Sequence, residues 1–257
     1  VVLGDEGSLT VNTDGTTTIE TINGSVGDTD TINVGEGYNV VVGGAASDAV
    51  TVTGTSTDSQ GIVLGDNGTM TLAADGSLAS IASSDYSYGA ADTIELTSGT
   101  NTVIGGVGGD TITVGSGTNT VLTNDGDRTY GNGQLQFIQS TNSDHGGDDI
   151  IELKDGTNTV VAGDGRDAVT IGAGRNIVLG DEGSLTVNSD GTTTIKTING
   201  SVGDVDTINV GEGYNVAIGG AASDAITVSG TATDSQGIVL GDNGTLTLSS
   251  SGELVSI

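Results

Sequence analysis

The chain has 257 residues, 46 of them Gly, with no Pro, Cys or Trp, and its 34 acidic side chains against 5 Lys and Arg give a formal charge of −29. A compact chain so unbalanced repels itself unless cations neutralise it. Nucleic acid is excluded as a partner because phosphate binding needs basic patches, disulfides are excluded by the missing cysteine, and no apolar run is long enough to insert into a membrane.

Thr, Val, Ile, Ser, Asn and Asp dominate the rest, which favours strands broken by tight turns, and no window carries the helical spacing of apolar residues. From the start, "VLGDEGSLTVNTDGTTTIETI" reads as turn, strand, turn, strand: a looser coil or a small hairpin. Then Asp30 opens "DTINVGEGYNV". Equivalent segments open at Asp92 ("DTIELTSGTNT"), Asp149 ("DIIELKDGTNT") and Asp206 ("DTINVGEGYNV"), and each is preceded by its own turn-strand-turn-strand stretch, such as "VLGDNGTMTLAADGSLASI".

Residues 2–81 recur as residues 178–257 without gaps, differing at 14 of 80 positions. The changes report on burial: Glu20 becomes Lys196, a reversal that suits a solvated site, while Val42 and Val50 become Ile218 and Ile226, the one-methylene changes a packed site absorbs. Self-similarity at a fixed period is the signature of a solenoid. We expect one continuous repeat over residues 1–257, with approximate units 1–62, 63–120, 121–177 and 178–238, the start of a fifth at 239–257, and the chain a segment of a longer protein.

A finer period runs beneath. Nine residues after each opening Asp stands Asn39, Asn101, Asn158 or Asn215, and nine further on Asp48, Asp110, Asp167 or Asp224; Asn119 and Asn176 follow in the second and third units. Eighteen residues therefore make one turn of chain, with two glycine corners and two short strands. Alternate positions after each Asp are aliphatic, as in Ile94 and Leu96 or Ile112 and Val114, so they form inward ladders. The spacing predicts about thirteen coils, a rod roughly 60 Å long. Four extra residues fall within "TGTSTDSQG" in the first unit and its copy in the fourth, and "SDYSYG" and "NSDHG" lead back to the next opening Asp.

"GGVGGDTIT", Gly105 to Thr113, matches all of the nonapeptide GGxGxDxUx and so resembles the RTX, or haemolysin-type, calcium-binding repeat; "GGAASDAVT", "AGDGRDAVT" and "GGAASDAIT" resemble it with one glycine replaced. The resemblance implies an all-β fold, a right-handed parallel β-roll, with Ca2+ held between corners by Asp carboxylates and backbone carbonyls, and secretion to the outside or the surface of a bacterial cell. Calcium takes six to eight oxygen ligands in flexible geometry, and glycine lets a corner turn its carbonyls inward. The candidate ligands are Asp110 with the corner glycines Gly105, Gly106 and Gly108, and the pairs Asp30 with Asp48, Asp92 with Asp110, Asp149 with Asp167 and Asp206 with Asp224. Asp66 and Asp242, each 18 residues beyond the second Asp of its unit, could extend two of those columns. The opposite corners carry Asn where the repeat has Asp, which suits turns and side-chain ladders better than cations.

The leading functional expectation is a calcium-stabilised structural or adhesive spacer, a β-solenoid within a very large secreted protein or filament, with end-to-end self-assembly or continuation of the same chain as its partner. One alternative is a calcium-dependent binding module for carbohydrate or ice, although Tyr38, Arg175 and Tyr214 interrupt the flat array of "GTNT" corners. A polysaccharide-active enzyme on a β-helix is the other, but catalysis needs a singular constellation, and nearly every polar residue here has a copy one unit away. His145 is a lone histidine, and Tyr86, Tyr88 and Tyr130 fall in the variable connectors.

Overall fold

The computed structural model describes residues 1–54, 58–131, 133–141, 145–201, 203–231 and 235–257. Part of "TGTSTDSQG", part of its copy and part of "NSDHG" lie outside the described residues. Among those described there is no helix: the chain is all-β, a parallel β-solenoid built from short strands.

Each coil contributes one strand to each of two parallel sheets. The outer sheet has eight strands, from Thr31–Val34 and Ala49–Val52 through Thr93–Leu96 and Thr111–Val114 to Ala225–Val228; the central sheet has nine, among them Tyr38–Val42, Gln60–Leu64, Gly99–Ile104, Gly117–Leu122 and Gly156–Val161. Every rung is in register with the next, Ile94 opposite Val50 and Ile112, Val103 opposite Val63 and Val121. The aliphatic ladders expected from the sequence fill the space between these sheets: Ile32, Val50, Ile94, Ile112, Ile151, Val169 and Ile208 meet Val41, Val63, Val103, Val121, Val160 and Val178.

The turn-strand-turn-strand stretches are hairpins, and they do more than decorate the roll. Gly7–Val11 with Thr17–Thr21, Gly68–Leu72 with Leu78–Ser83, and Gly126–Gly131 with Gln134–Ser140 begin the series; each pairs with the next to make a continuous ten-stranded antiparallel sheet. This third layer covers the other face of the central sheet, packing Ile19, Met70, Ile81, Ile138, Leu185 and Ile195 onto Val40, Val42, Leu64, Ile104, Leu122 and Leu179. The central strands are thus buried on both faces, which is why they read as apolar runs such as "NVVV" and not as alternation.

The hairpins also correct the expected length. Nine central strands, and not about thirteen coils, stack along the axis; at roughly 4.8 Å per strand they span about 38 Å. Each unit diverts about twenty residues from the winding into its hairpin.

Candidate metal centre

The opening residue of every outer strand's turn is an aspartate, and the stacking joins all eight into one file: Asp30, Asp48, Asp92, Asp110, Asp149, Asp167, Asp206 and Asp224. The pairs anticipated from the sequence are thus adjacent rungs of one longer ladder. Along it, each backbone N–H donates to the Oδ1 of the next rung's aspartate, from Asp30 to Asp48 (2.8 Å), Asp48 to Asp92 (2.7 Å), Asp92 to Asp110 (2.7 Å), Asp110 to Asp149 (2.6 Å) and onward to Asp224.

Oδ1 is satisfied; Oδ2 is not. In Asp48, Asp92, Asp110, Asp149, Asp167, Asp206 and Asp224 the Oδ2 atom is buried and has no hydrogen-bond partner. The six inner rungs are almost wholly enclosed, Asp110 being 1 % exposed. Beside the Oδ2 of Asp48, Asp92, Asp110, Asp206 and Asp224 stands a glycine where the central strand leaves its sheet. A β-carbon built on Gly105 would lie 2.1 Å from Asp110 Oδ2 and 2.2 Å from the Thr123 carbonyl oxygen, and one on Gly65 would lie 2.2 Å from Asp92 Oδ2 and 2.3 Å from the Gly105 carbonyl oxygen. The same meeting of a carboxylate and a carbonyl recurs at Gly4, Gly43, Gly180 and Gly219. Gly105 is therefore glycine because the corner is filled with oxygen.

Burial is the main force on these carboxyls, and the charges acting on them are other aspartates. It pushes Asp48 up to about 6 and Asp92 and Asp206 up to about 8, against backbone hydrogen bonds that pull the other way. Asp110, Asp149 and Asp167 are raised by burial, with neighbouring carboxylates adding to the rise. A buried unpaired carboxylate is costly, so the file demands a proton or a cation.

Asp66 and Asp242 do not extend the ladder. Asp66 follows the central strand Gln60–Leu64 and Asp242 ends the central strand Gln236–Asp242, neither preceding an outer strand, because the eighteen-residue step from Asp48 or Asp224 runs past the corner toward a hairpin. Asp66 belongs to a second file that the sequence reading missed, one residue per unit: Asp5, Asp66, Asn124, Asp181 and Asp242. Asp66 accepts N–H groups from Val107 (2.5 Å) and Ala90 (3.2 Å), Asp5 accepts from Ala45 (2.6 Å), and Asp181 accepts from Ala221. Gly106, at φ +121, has its α-carbon against Asp66, where a β-carbon would fall 2.4 Å from Oδ2; Gly44 and Gly220 do the same for Asp5 and Asp181. Gly108, at φ +99, donates to the His145 carbonyl at 3.2 Å and abuts the backbone at Ala91. Burial raises Asp66 to about 9. The Asp or Asn that recurs as the fourth residue of "VLGDEG", "VLGDNG" and "VLTNDG" was the available signal.

The asparagine corners form a ladder of their own. Asn101 donates to Asn119 (2.9 Å), Asn119 to Asn158 (2.9 Å), Asn158 to Asn176 (2.8 Å) and Asn176 to Asn215 (2.8 Å), and four of the five also donate to a carbonyl four residues back. Their oxygens are engaged with one another.

The donor set at the aspartate file is oxygen alone, carboxylate and carbonyl, the chemistry of hard cations such as calcium. Among the described residues no three acidic or imidazole side chains converge on one point, so each cradle offers one free carboxylate oxygen and main-chain carbonyls. His145 stacks on Tyr86 with ring centroids 6.4 Å apart. Comparisons with protein families, with curated proteins and with solved structures each return no match to the chain.

Proposed function

We propose that the chain is a calcium-stabilised structural spacer, a length of β-solenoid serving adhesion or filament architecture in a secreted or cell-surface protein. The observation that carries this reading is the file of buried, unpartnered Oδ2 atoms, those of Asp48, Asp92, Asp110, Asp206 and Asp224 sharing a glycine corner with a main-chain carbonyl, in a chain of charge −29. Calcium would be held by the Oδ2 atoms of Asp48, Asp92, Asp110, Asp149, Asp167, Asp206 and Asp224 together with the corner carbonyls of residues such as Gly65, Gly105 and Thr123, with water completing the shell. It would supply the counter-charge and tie successive rungs together. The resemblance of "GGVGGDTIT" to the RTX nonapeptide supports the same ion. Repetition supports a spacer, since the ladder residues recur rung after rung, whereas catalysis needs a singular set.

The burial of Oδ2 without a partner favours one rival, a proton in place of the cation. Calorimetric titration with calcium, paired with thermal melts followed by circular dichroism with and without chelator, separates the two. Several ions bound per chain and a melting temperature raised by calcium support the proposal. No binding heat and an unmoved melting temperature would leave the proton ladder.

A further inference from the structure

The third hairpin breaks the repeat on both sides of one interface. On the inner face of the hairpins, Met70, Leu185 and Leu246 occupy one position and Leu72, Val187 and Leu248 the next but one; in the third hairpin these are Arg128 and Tyr130. The file of the central sheet that faces them reads Val40, Ile62, Thr102, Thr120, Thr159, Ile177, Val216, Ile238 by register. Three consecutive rungs therefore exchange an aliphatic side chain for threonine where the opposing hairpin exchanges its own. Packing alone gives no reason for such a paired loss.

What the exchange leaves is a groove of about 480 Å³ between the central sheet and the hairpin, within the range of small-molecule sites. Thr102, Thr120 and Thr159 form one line of its floor, and Thr100, Thr118 and Thr157 of the "GTNT" corners form a second. Hydroxyls thus recur at each rung, roughly every 4.8 Å along the stack. Tyr130 and Leu135 supply a wall, and the amides of Gln60 and Gln134 stand at the rim. Thr102 is engaged by the Tyr130 hydroxyl at 2.9 Å. Thr120, only 8 % exposed, faces the groove with no partner for its hydroxyl.

Beneath lies Arg128, 0 % exposed, donating to the carbonyls of Thr120 (2.9 Å) and Val103. It pins the main chain of two floor strands and is a positioning residue: its guanidinium does not line the groove. Among the described residues no charged side chain lines it.

From this we infer that the groove binds a neutral carbohydrate, a short oligosaccharide laid along the threonine files. Each threonine hydroxyl both donates and accepts, as sugar hydroxyls do, and Tyr130 with Leu135 offers an apolar wall for the C–H face of a pyranose ring. The uncharged lining gives an ionised ligand no partner, and the net charge repels anions. This site stands apart from the aspartate ladder, on the far face of the central sheet.

The test uses the 257-residue chain in calcium buffer, with cellotriose, maltotriose, chitotriose and the acidic trigalacturonate as probes in saturation-transfer NMR and titration calorimetry. At least one neutral trisaccharide should bind, and trigalacturonate should not. The triple variant Thr102→Val/Thr120→Val/Thr159→Val restores the aliphatic file of the neighbouring rungs, so it should melt no lower than the parent while binding weakens by at least roughly tenfold. Gln134→Ala, at the exposed rim, should weaken binding without touching the core, and Thr51→Val on the outer sheet should change nothing. Failure of all three neutral sugars to bind overturns the proposal, as does a triple variant that binds like the parent.

Discussion

Asp110→Asn tests the ladder most sharply, because its effect should change sign with calcium. Asp110 Oδ1 accepts from the Asp92 N–H at 2.7 Å, while Oδ2 is buried without a partner beside the Thr123 carbonyl. The amide keeps the first bond and puts an N–H donor where Oδ2 stood, at the corner that also holds that carbonyl. Without metal, and at a pH high enough to ionise the carboxyl, the substitution removes an unsatisfied buried acceptor, worth about 1–3 kcal/mol. At about 2–4 °C per kcal/mol for a chain of this size, a gain of about 2 kcal/mol raises the melting temperature in chelator by about 4–8 °C. With calcium, the same change deletes one carboxylate ligand, so calorimetry should count fewer ions and the calcium-induced rise in melting temperature should shrink. A variant less stable than the parent in chelator would refute the account of Oδ2 as an orphan. Unchanged ion stoichiometry would refute Asp110 as a ligand.

Asn119→Ala strips a partner from Asn101 and Asn158 and should cost about 1–3 kcal/mol in urea melts with or without calcium, leaving the ion count alone. Gly106→Ala forces a β-carbon to 2.4 Å from Asp66 Oδ2 at φ +121 and should lower stability by at least about 1–3 kcal/mol, measured by the same melts. The metal-free chain should lose stability as pH rises: Asp92 and Asp206 sit at about 8 when folded, above the unfolded value of about 3.9, so the folded form holds more protons across that window, at up to about 1.4 kcal/mol per unit for each group. Calcium should reverse that slope, because a cation-bound carboxylate is lowered; slopes of one sign in both conditions would count against a metal on the ladder.

Much of the roll was legible because the forces that define it are local and recur. The eighteen-residue step locates Asp92, Asn101, Asp110 and Asn119 on successive corners, and the alternation of Ile94 with Leu96 fixes which side of the outer strand faces inward. The third layer was not legible, since its pairing joins hairpins of different units, as when Asp127 meets Ala82, and no local pattern encodes that. Its trace was the run of three apolar residues in Val40, Val41 and Val42, which alternation does not require. Asp66 was misassigned because counting eighteens assumes a constant coil, and the chain leaves the coil at that corner. Arg128 went unremarked and Tyr130 was read only as a connector tyrosine, because a repeat is read by what recurs, while their meaning lies in departing from Met70 and Leu72.

The two polar ladders run along opposite edges of the same coils and differ by one atom in each side chain. An asparagine carries both a donor and an acceptor, so Asn101 through Asn215 satisfy one another rung by rung and need nothing from outside. An aspartate carries acceptors alone when ionised: its Oδ1 is met by the neighbouring N–H, and its Oδ2 is left facing another acceptor. Stacking then multiplies the deficit, because each added coil brings one more Oδ2 close to the last. One edge of the roll is therefore stable unconditionally, and the other only when a cation or a proton occupies the file. In the spacer proposed above, that conditional edge is where stiffness would be controlled, by whatever supplies the cation or the proton.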